Sequence, residues 1–200
     1  MLKRYFVPAV ASALCALSAQ AAVDHYTIDP AHTYPSFQAP HIAGISLWRG
    51  KFDRTSGTIA LDRSNKSGTI EITVDTTSVD FGLAEMNEHA RSPKLFDTAK
   101  YPTATFKSKN LKFDGDKLVE VAGEFTLHGV TKPLTLKVNS FKCIISPFTK
   151  KEVCGADASA EFDRADYGIA YGLPEPIQSG KVELQIQVEA NKDDKPGPQS

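Results

Sequence analysis

The sequence lacks the short motifs that mark common enzyme active sites. It contains no GxSxG nucleophile elbow, no HExxH zinc motif, no P-loop and no GxGxxG dinucleotide motif. Its three cysteines include no CxxC pair of the kind that binds zinc or exchanges disulfides. These absences favour a binding protein that is not an enzyme and that requires no cofactor.

The chain also lacks an excess of positive charge. Its 23 Lys and Arg residues balance 24 Asp and Glu residues, which gives a net charge of −1. No basic stripe with interleaved aromatic residues occurs. A surface without excess positive charge cannot supply the counterion release that dominates binding to nucleic acids. We therefore expect no nucleic-acid partner.

Long apolar runs are missing except at the N-terminus. Lys3 and Arg4 precede an apolar segment at 5–17, and the small-residue pattern Ala19-Gln20-Ala21 follows it. The segment is shorter than the ~20 residues that span a bilayer. Residues 1–21 are therefore expected to be a cleaved signal peptide, and the product is expected not to be an integral membrane protein. Cys15 could accept a lipid anchor, but Leu14 stands where a lipoprotein signal needs a small residue, so we do not expect lipidation.

Two cysteines remain after the expected cleavage. Cys143 and Cys154 form an even pair in a protein that is expected to be exported, where a disulfide is the usual state of such a pair. The residues between them have the form of a hairpin connection, so the bond would join neighbouring strands. A loop of this size gives ~3 kcal/mol in the chain-entropy model. A redox or metal-binding role is the less favoured interpretation.

The rest of the chain alternates apolar and polar residues in short segments, as half-buried strands do. The clearest segment is 182–188, where Val, Leu, Ile and Val alternate with Glu and Gln. Turn sequences such as Asp114-Gly115-Asp116 separate the segments and favour an antiparallel meander. We expect one all-β domain over residues 22–190, an antiparallel barrel of about eight strands, and a disordered tail at 191–200.

This alternation breaks between Asp75 and Phe106. Apolar residues at 83, 86 and 90 recur at helical spacing, which predicts a short helix. Ser92-Pro93 has the form of an N-cap followed by proline at the first helical position, and it predicts a second short helix through residues 95 and 96. Such a helical insertion between two strands is expected to lie near one mouth of the barrel.

Four stretches in and after this region carry a distinctive order of residues: Thr76-Thr77-Ser78-Val79-Asp80, Asn87-Glu88-His89-Ala90-Arg91-Ser92, Ala99-Lys100-Tyr101-Pro102-Thr103-Ala104-Thr105-Phe106 and Gly123-Glu124-Phe125-Thr126-Leu127-His128-Gly129-Val130-Thr131-Lys132-Pro133-Leu134. In these stretches the chain resembles the YceI-like family of bacterial periplasmic proteins. The resemblance extends over nearly all of the chain after residue 21. It implies an elongated, lipocalin-like barrel in the periplasm that holds a polyisoprenoid chain, such as a quinone tail or a prenyl phosphate.

The inward positions of the predicted strands are candidates for contact with such a ligand. Alanines at several of them, among them Ala104, Ala156 and Ala158, favour a hollow interior over a filled one. The residues expected to line it are Phe37, Ala39, Trp48, Phe52, Ile59, Leu61, Ile72, Val74, Phe81, Met86, Phe96, Phe106, Phe125, Leu127, Phe162 and Leu184. Each of them could equally be plain core, because apolar alternation does not separate cavity lining from packing.

His89 and Arg91 lie in the insertion and could bind a ligand head group. A charged donor makes strong hydrogen bonds to an anionic group such as a phosphate. The alternative is that both side chains hold the insertion against neighbouring loops.

Two other functions stay open from the sequence alone. A metal-dependent or catalytic protein could use His32, His41 or His89 with a carboxylate, although their spacing matches no known metal motif. A barrel filled by its own side chains could act through its surface. A homodimer is compatible with the sequence, although no pattern in it predicts one.

Overall fold

In the computed structural model, residues 23–173 and 179–194 are described, and the expected signal peptide lies outside them. Helix α1 (Ala84–Arg91) is the one α-helix among the described residues, and short 3-10 helices lie at Thr76–Ser78 and Arg164–Tyr167. The strands are β1 (Asp24–Ile28), β2 (Tyr34–His41), β3 (Ser46–Phe52), β4 (Thr55–Asp62), β5 (Ser67–Asp75), β6 (Val79–Asp80), β7 (Thr103–Asp114), β8 (Lys117–Leu127), β9 (Val130–Ile145), β10 (Glu152–Asp163) and β11 (Lys181–Lys192).

Eight of these strands form a closed antiparallel barrel. Their order is β1-β4-β5-β7-β8-β9-β10-β11, and β11 pairs with β1 to close the ring. Closure leaves no unpaired strand edge in the ring, which is how all-β proteins avoid edge-to-edge association. The structure confirms the predicted all-β barrel of about eight strands with a short helical insertion.

Strands β2, β3 and β6 extend the barrel at one end. β11 pairs with β1 at residues 190–192 and with β2 at residues 183–187, so β1 and β2 follow each other along one edge of β11. β3 pairs with β2, and β6 pairs with the last residues of β3. The β2–β3 hairpin, α1 and residues 164–173 surround this end, which we call the mouth.

The opposite end is closed by a polar cluster and a disulfide. The Tyr26 hydroxyl is buried; it donates a 2.8 Å hydrogen bond to Glu152 Oε1 and accepts one of 2.7 Å from Arg63 Nη2. Arg63 also forms an ion pair with Glu152. Burial, followed by the hydrogen bond to Glu152, raises the pKa of Tyr26. The Cys143–Cys154 disulfide joins β9 to β10 beside this cluster and confirms the predicted pairing.

The prediction of a second short helix after Ser92 is wrong, because Ser92 ends α1 instead of starting a helix. Its backbone N–H and its hydroxyl both donate to the carbonyl oxygen of His89, at 3.2 and 2.7 Å. Residues 93–96 then form turns, and the backbone N–H of Phe96 donates to the carbonyl oxygen of Ala90 at 2.9 Å. None of the described helices is long and apolar enough to cross a bilayer.

The predicted boundary of the disordered tail also needs correction. Asn191 and Lys192 continue β11 and pair with β1, and the Lys192 ammonium lies 2.6 Å from a carboxylate oxygen of Asp24. The backbone N–H of Asp193 donates to the carbonyl oxygen of His25 at 2.9 Å. Because pairing with β1 satisfies these backbone groups, the ordered chain extends past residue 190. Residues 195–200 lie outside the described residues.

Candidate functional site

The barrel encloses an elongated cavity of about 480 Å³. This volume lies within the range of roughly 300–1,000 Å³ that is usual for small-ligand sites. Inward side chains of β4, β5 and β7–β11 and of β2 and β3 form its wall, together with side chains of α1 and the adjoining loops. Most of these side chains are aliphatic or aromatic, so the cavity suits an apolar molecule.

The cavity follows the strands over much of their length. Val188 and Leu184 of β11 line it, Leu184 pairs with Phe37 of β2, and Pro40 of β2 lines it near the mouth. These positions span four residues of β11 and three of β2, or roughly 23 Å at ~3.3 Å per residue. A site that is much longer than it is wide fits an extended chain better than a compact ring system.

The structure places most of the predicted ligand-contact residues on the cavity wall. Phe162 is an exception, because its ring packs in the core against Phe125 and Tyr167, with ring centroids 5.6 and 5.2 Å apart. Arg91 also does not line the cavity. The others all do: Phe37, Ala39, Trp48, Phe52, Ile59, Leu61, Ile72, Val74, Phe81, Met86, His89, Phe96, Phe106, Phe125, Leu127 and Leu184. Their contact with a ligand stays a prediction.

More of the residues that line the cavity were missed from the sequence than were identified. Several of them lie on strands with clear alternation, where Leu134, Leu136 and Val138 of β9 could have been assigned from the same period of two. Ile169 and Tyr171 line the cavity from the loop after β10. No periodic signal exists in such a loop, so only the folded chain shows its contribution.

Aromatic rings cluster where the mouth meets the cavity. The Phe37 ring contacts those of Phe52, Phe81 and Phe96, with centroid separations of 5.5, 5.5 and 6.0 Å. Gly50 makes room for this packing, because a Cβ atom there would lie 2.7 Å from Cζ of Phe37. The cluster joins β2 and β3 to the insertion and forms an apolar wall of the cavity at the mouth.

The side chain of Asn87 holds α1 against β6 and the residues that follow it. Its Oδ1 accepts a 2.7 Å hydrogen bond from the backbone N–H of Phe81, and its Nδ2 donates a 2.9 Å bond to Oδ1 of Asp80. The same Asp80 oxygen accepts a 2.8 Å bond from the backbone N–H of Gly82. The Asn87 amide, followed by the Gly82 N–H, keeps the pKa of Asp80 below its usual range.

We expect Asn87→Ala to loosen the insertion while the barrel stays folded. Loss of two hydrogen bonds should make amide hydrogen exchange over residues 84–91 roughly thirtyfold faster, since each bond contributes about 1 kcal/mol and a factor of ten corresponds to ~1.4 kcal/mol. Hydrogen exchange with mass spectrometry measures this, with the exposed Glu88→Ala on the same helix as a control. The pKa of Asp80 is lower in the folded protein than in the unfolded chain. The stability that its ionised carboxylate contributes to the folded protein is therefore present above ~pH 4 and is lost as the pH falls through the folded pKa. Equal exchange in the two variants would contradict this role of Asn87.

Few polar groups reach the cavity. Arg164 lines it near the mouth, and its guanidinium donates 2.8 Å hydrogen bonds to the carbonyl oxygens of Ile169 and Tyr171. Burial lowers the pKa of Arg164, but a guanidinium remains charged at neutral pH. Thr33, between β1 and β2, and Thr55, the first residue of β4, also line the cavity. These groups are too few and too scattered to form a polar binding centre.

The histidines proposed for a metal site do not come together. His32 lies on the loop after β1, with Nδ1 2.9 Å from Oδ2 of Asp29. His41 stacks on Trp48 at the mouth, with ring centroids 4.3 Å apart, and His89 lies on α1. Within residues 23–173 and 179–194, the one cluster of three metal-ligating side chains is Cys143, Glu152 and Cys154, and its sulfurs form the disulfide.

Comparison with known proteins agrees with this architecture. Residues 26–190 match the YceI-like domain family. Protein YceI of Escherichia coli O157:H7 is 37% identical over 159 residues, which cover 79% of this chain and 81% of that protein. The family match extends from β1 to β11 and includes the insertion.

Two solved structures have similar folds. The YceI protein of Campylobacter jejuni aligns with a TM-score of 0.65 and 26% identity, over 75% of this chain and 88% of that chain. A polyisoprenoid binding domain from Saccharophagus degradans aligns with a TM-score of 0.61 and 20% identity, over 84% of this chain and 98% of that chain. With a family match over residues 26–190, the chain belongs to the YceI-like family.

Proposed function

We propose that this protein is a periplasmic binding or carrier protein that sequesters a polyisoprenoid, or a similar amphiphilic lipid, inside its barrel. The observation that carries the proposal is the long apolar cavity of about 480 Å³. It argues against the alternative of a barrel filled by its own side chains. The fold shared with a polyisoprenoid binding domain supports the same ligand class.

Apolar burial alone can provide the affinity. Each buried CH₂ group contributes ~0.8 kcal/mol, so an isoprene unit contributes roughly 3 to 4 kcal/mol. Two or three such units would offset the ~4 to 15 kcal/mol that immobilising a ligand costs. The protein therefore needs no strong polar anchor, which agrees with the sparse polar groups on the wall. A quinone and a prenyl phosphate are both candidate ligands on this basis.

The head group is proposed to lie at the mouth. Among the ionisable groups that line the cavity near the mouth, His89 comes from the insertion and Arg164 from the segment after β10. Either can donate a hydrogen bond to a carbonyl or phosphate oxygen. Arg91 does not line the cavity and is better explained as part of the insertion's packing. Export to the periplasm is supported by the Cys143–Cys154 disulfide, since such bonds persist in oxidising compartments.

Titration with defined probes tests the proposal. A short-chain ubiquinone and geranylgeranyl phosphate should quench or shift the fluorescence of Trp48, which is the single tryptophan and lines the cavity. At a hundred times the dissociation constant, binding contributes ~2.7 kcal/mol, which should raise the melting temperature by about 5 to 10 °C. The quinone head group without its isoprenoid tail is the control. Equal stabilisation of the protein by this compound would rule out recognition of the isoprenoid tail.

A further inference from the structure

The β2–β3 hairpin at the mouth exposes large apolar side chains at its tip. Ile45 is 77% exposed and Ile42 is 48% exposed, and Leu47 and Trp48 on β3 are also exposed. A hairpin tip usually carries Gly, Asn, Asp or Ser, because those residues suit the turn and interact with water. A contiguous exposed apolar patch of this kind indicates an interaction surface.

At the tip of the hairpin, Ile42 has a backbone conformation that disfavours isoleucine. Ile42 has a φ of 33°, in the left-handed region that β-branched residues rarely adopt. Asparagine or glycine would fit this conformation at lower cost. Residues that violate a local preference in this way tend to lie at functional sites. The side chain of Ile42 is therefore better explained by what it contacts outside the protein than by the stability of the turn.

The exposed patch is continuous with the interior. Pro40, His41 and Trp48 line the cavity, and they adjoin the exposed tip residues on the same hairpin. The Trp48 ring stacks on His41 and lies 6.2 Å from the ring of Phe81 in the mouth cluster. An apolar chain could thus move from the patch into the barrel without crossing a polar surface.

The charge of the hairpin fits an anionic surface. Residues 40–51 contain no acidic residue, and Arg49 lies on β3 of this hairpin, whereas Lys51 forms an ion pair with Asp53. Across the mouth, Lys94 lies 5.4 Å from the centre of the Tyr171 ring, which is exposed and also lines the cavity. Amphipathic aromatic side chains beside lysine and arginine are typical of protein surfaces that sit at the lipid head-group level.

We propose that the mouth docks onto a lipid bilayer, with the tip residues Ile42 and Ile45 inserted among the head groups and the cavity opening toward the acyl chains. This inference rests on the proposed function, because a ligand that resides in membranes must enter or leave through such a contact. Basic residues near the tip would favour a bilayer that contains anionic lipid.

Flotation with lipid vesicles tests the docking surface directly. The variant is Ile42→Asn with Ile45→Ser, in the full chain, and the vesicles contain phosphatidylethanolamine and phosphatidylglycerol. Its matched control is Ile145→Ser with Phe148→Ser on the β9–β10 hairpin, since those side chains are 62% and 91% exposed at the opposite end of the barrel. Lys150 and Lys151 flank this control hairpin, so it offers a comparable apolar and basic surface.

We expect the mouth variant to lose vesicle binding about tenfold or more, because two large apolar side chains no longer insert. Its melting temperature should stay the same or rise, since asparagine suits the backbone at position 42. The control variant should bind vesicles like the unaltered protein. An equal or larger loss in the control variant would overturn the proposal. Absence of vesicle binding by the unaltered protein would also overturn it.

Binding of a short-chain ubiquinone dispersed in detergent separates this proposal from the proposed function. We expect the mouth variant to retain that binding, because Ile42 and Ile45 do not line the cavity. If the unaltered protein binds vesicles but no quinone or prenyl phosphate, the proposed function fails while membrane docking stands. If it binds the quinone but the mouth variant floats normally, docking through the mouth is overturned.

Discussion

Ala158→Trp is expected to abolish most ligand binding while the barrel remains folded. Ala158 lines the cavity on β10, where it pairs with Ile186 of β11 and Val138 of β9, which also line it. An indole ring there would occupy the middle of the cavity and exclude at least one isoprene unit. Because that unit contributes roughly 3 to 4 kcal/mol, affinity for a short-chain ubiquinone should fall by about two to three orders of magnitude.

Ala122→Trp provides the matched control for this change. Ala122 lies on β8 directly after Val121, which lines the cavity, and alternation along the strand directs Ala122 to the outside. Fluorescence and calorimetric titrations of both variants give their affinities, and circular dichroism checks their folding. Unchanged affinity in a folded Ala158→Trp variant would show that ligands bind elsewhere.

Removal of the disulfide by Cys143→Ala with Cys154→Ala should destabilise the barrel by ~3 kcal/mol. The bond closes a loop with a sequence separation of 11 residues, and the chain-entropy model gives about this value for such a loop. For a domain of this size the melting temperature should fall by roughly 6 to 12 °C. Thermal unfolding followed by circular dichroism measures the change.

The reduced form of the unaltered protein is the control for the cysteine substitutions. Dithiothreitol should lower its melting temperature by a similar amount and should leave that of the double alanine variant unchanged. Ligand affinity should change little, because neither cysteine lines the cavity. A destabilisation below about 1 kcal/mol would mean that the Tyr26, Arg63 and Glu152 cluster holds this end closed without help from the disulfide.

Much of the fold could be predicted from the sequence because it depends on local patterns. Alternation over 182–188 and the turn at Asp114-Gly115 predicted strands and a meander, and the even pair of cysteines left after the expected signal peptide predicted the disulfide. Ser92 shows where local pattern failed. A serine before a proline fits the start of a helix, but here its hydroxyl caps the carbonyl oxygen of His89 at the end of α1.

The candidate site was less predictable, because it depends on how strands close around a space. Alternation identified inward positions such as Leu184 and Ile72, but not whether they face a cavity or pack together. Phe162 illustrates the difference, since it alternates like its neighbours yet packs on Phe125 and Tyr167. The contribution of Tyr171 comes from a loop after β10, and only the folded chain brings it to the mouth.

The most direct test is the identity of the molecule that the protein carries when it is isolated from its native cells. The protein should be purified from the periplasmic fraction without detergent, and intact-mass and organic-extract mass spectrometry should be applied to it and to Ala158→Trp. The account predicts an isoprenoid lipid in near-stoichiometric amount with the unaltered protein and its loss from the variant. Recovery of no lipid from the unaltered protein, together with no stabilisation by quinones or prenyl phosphates, would contradict it.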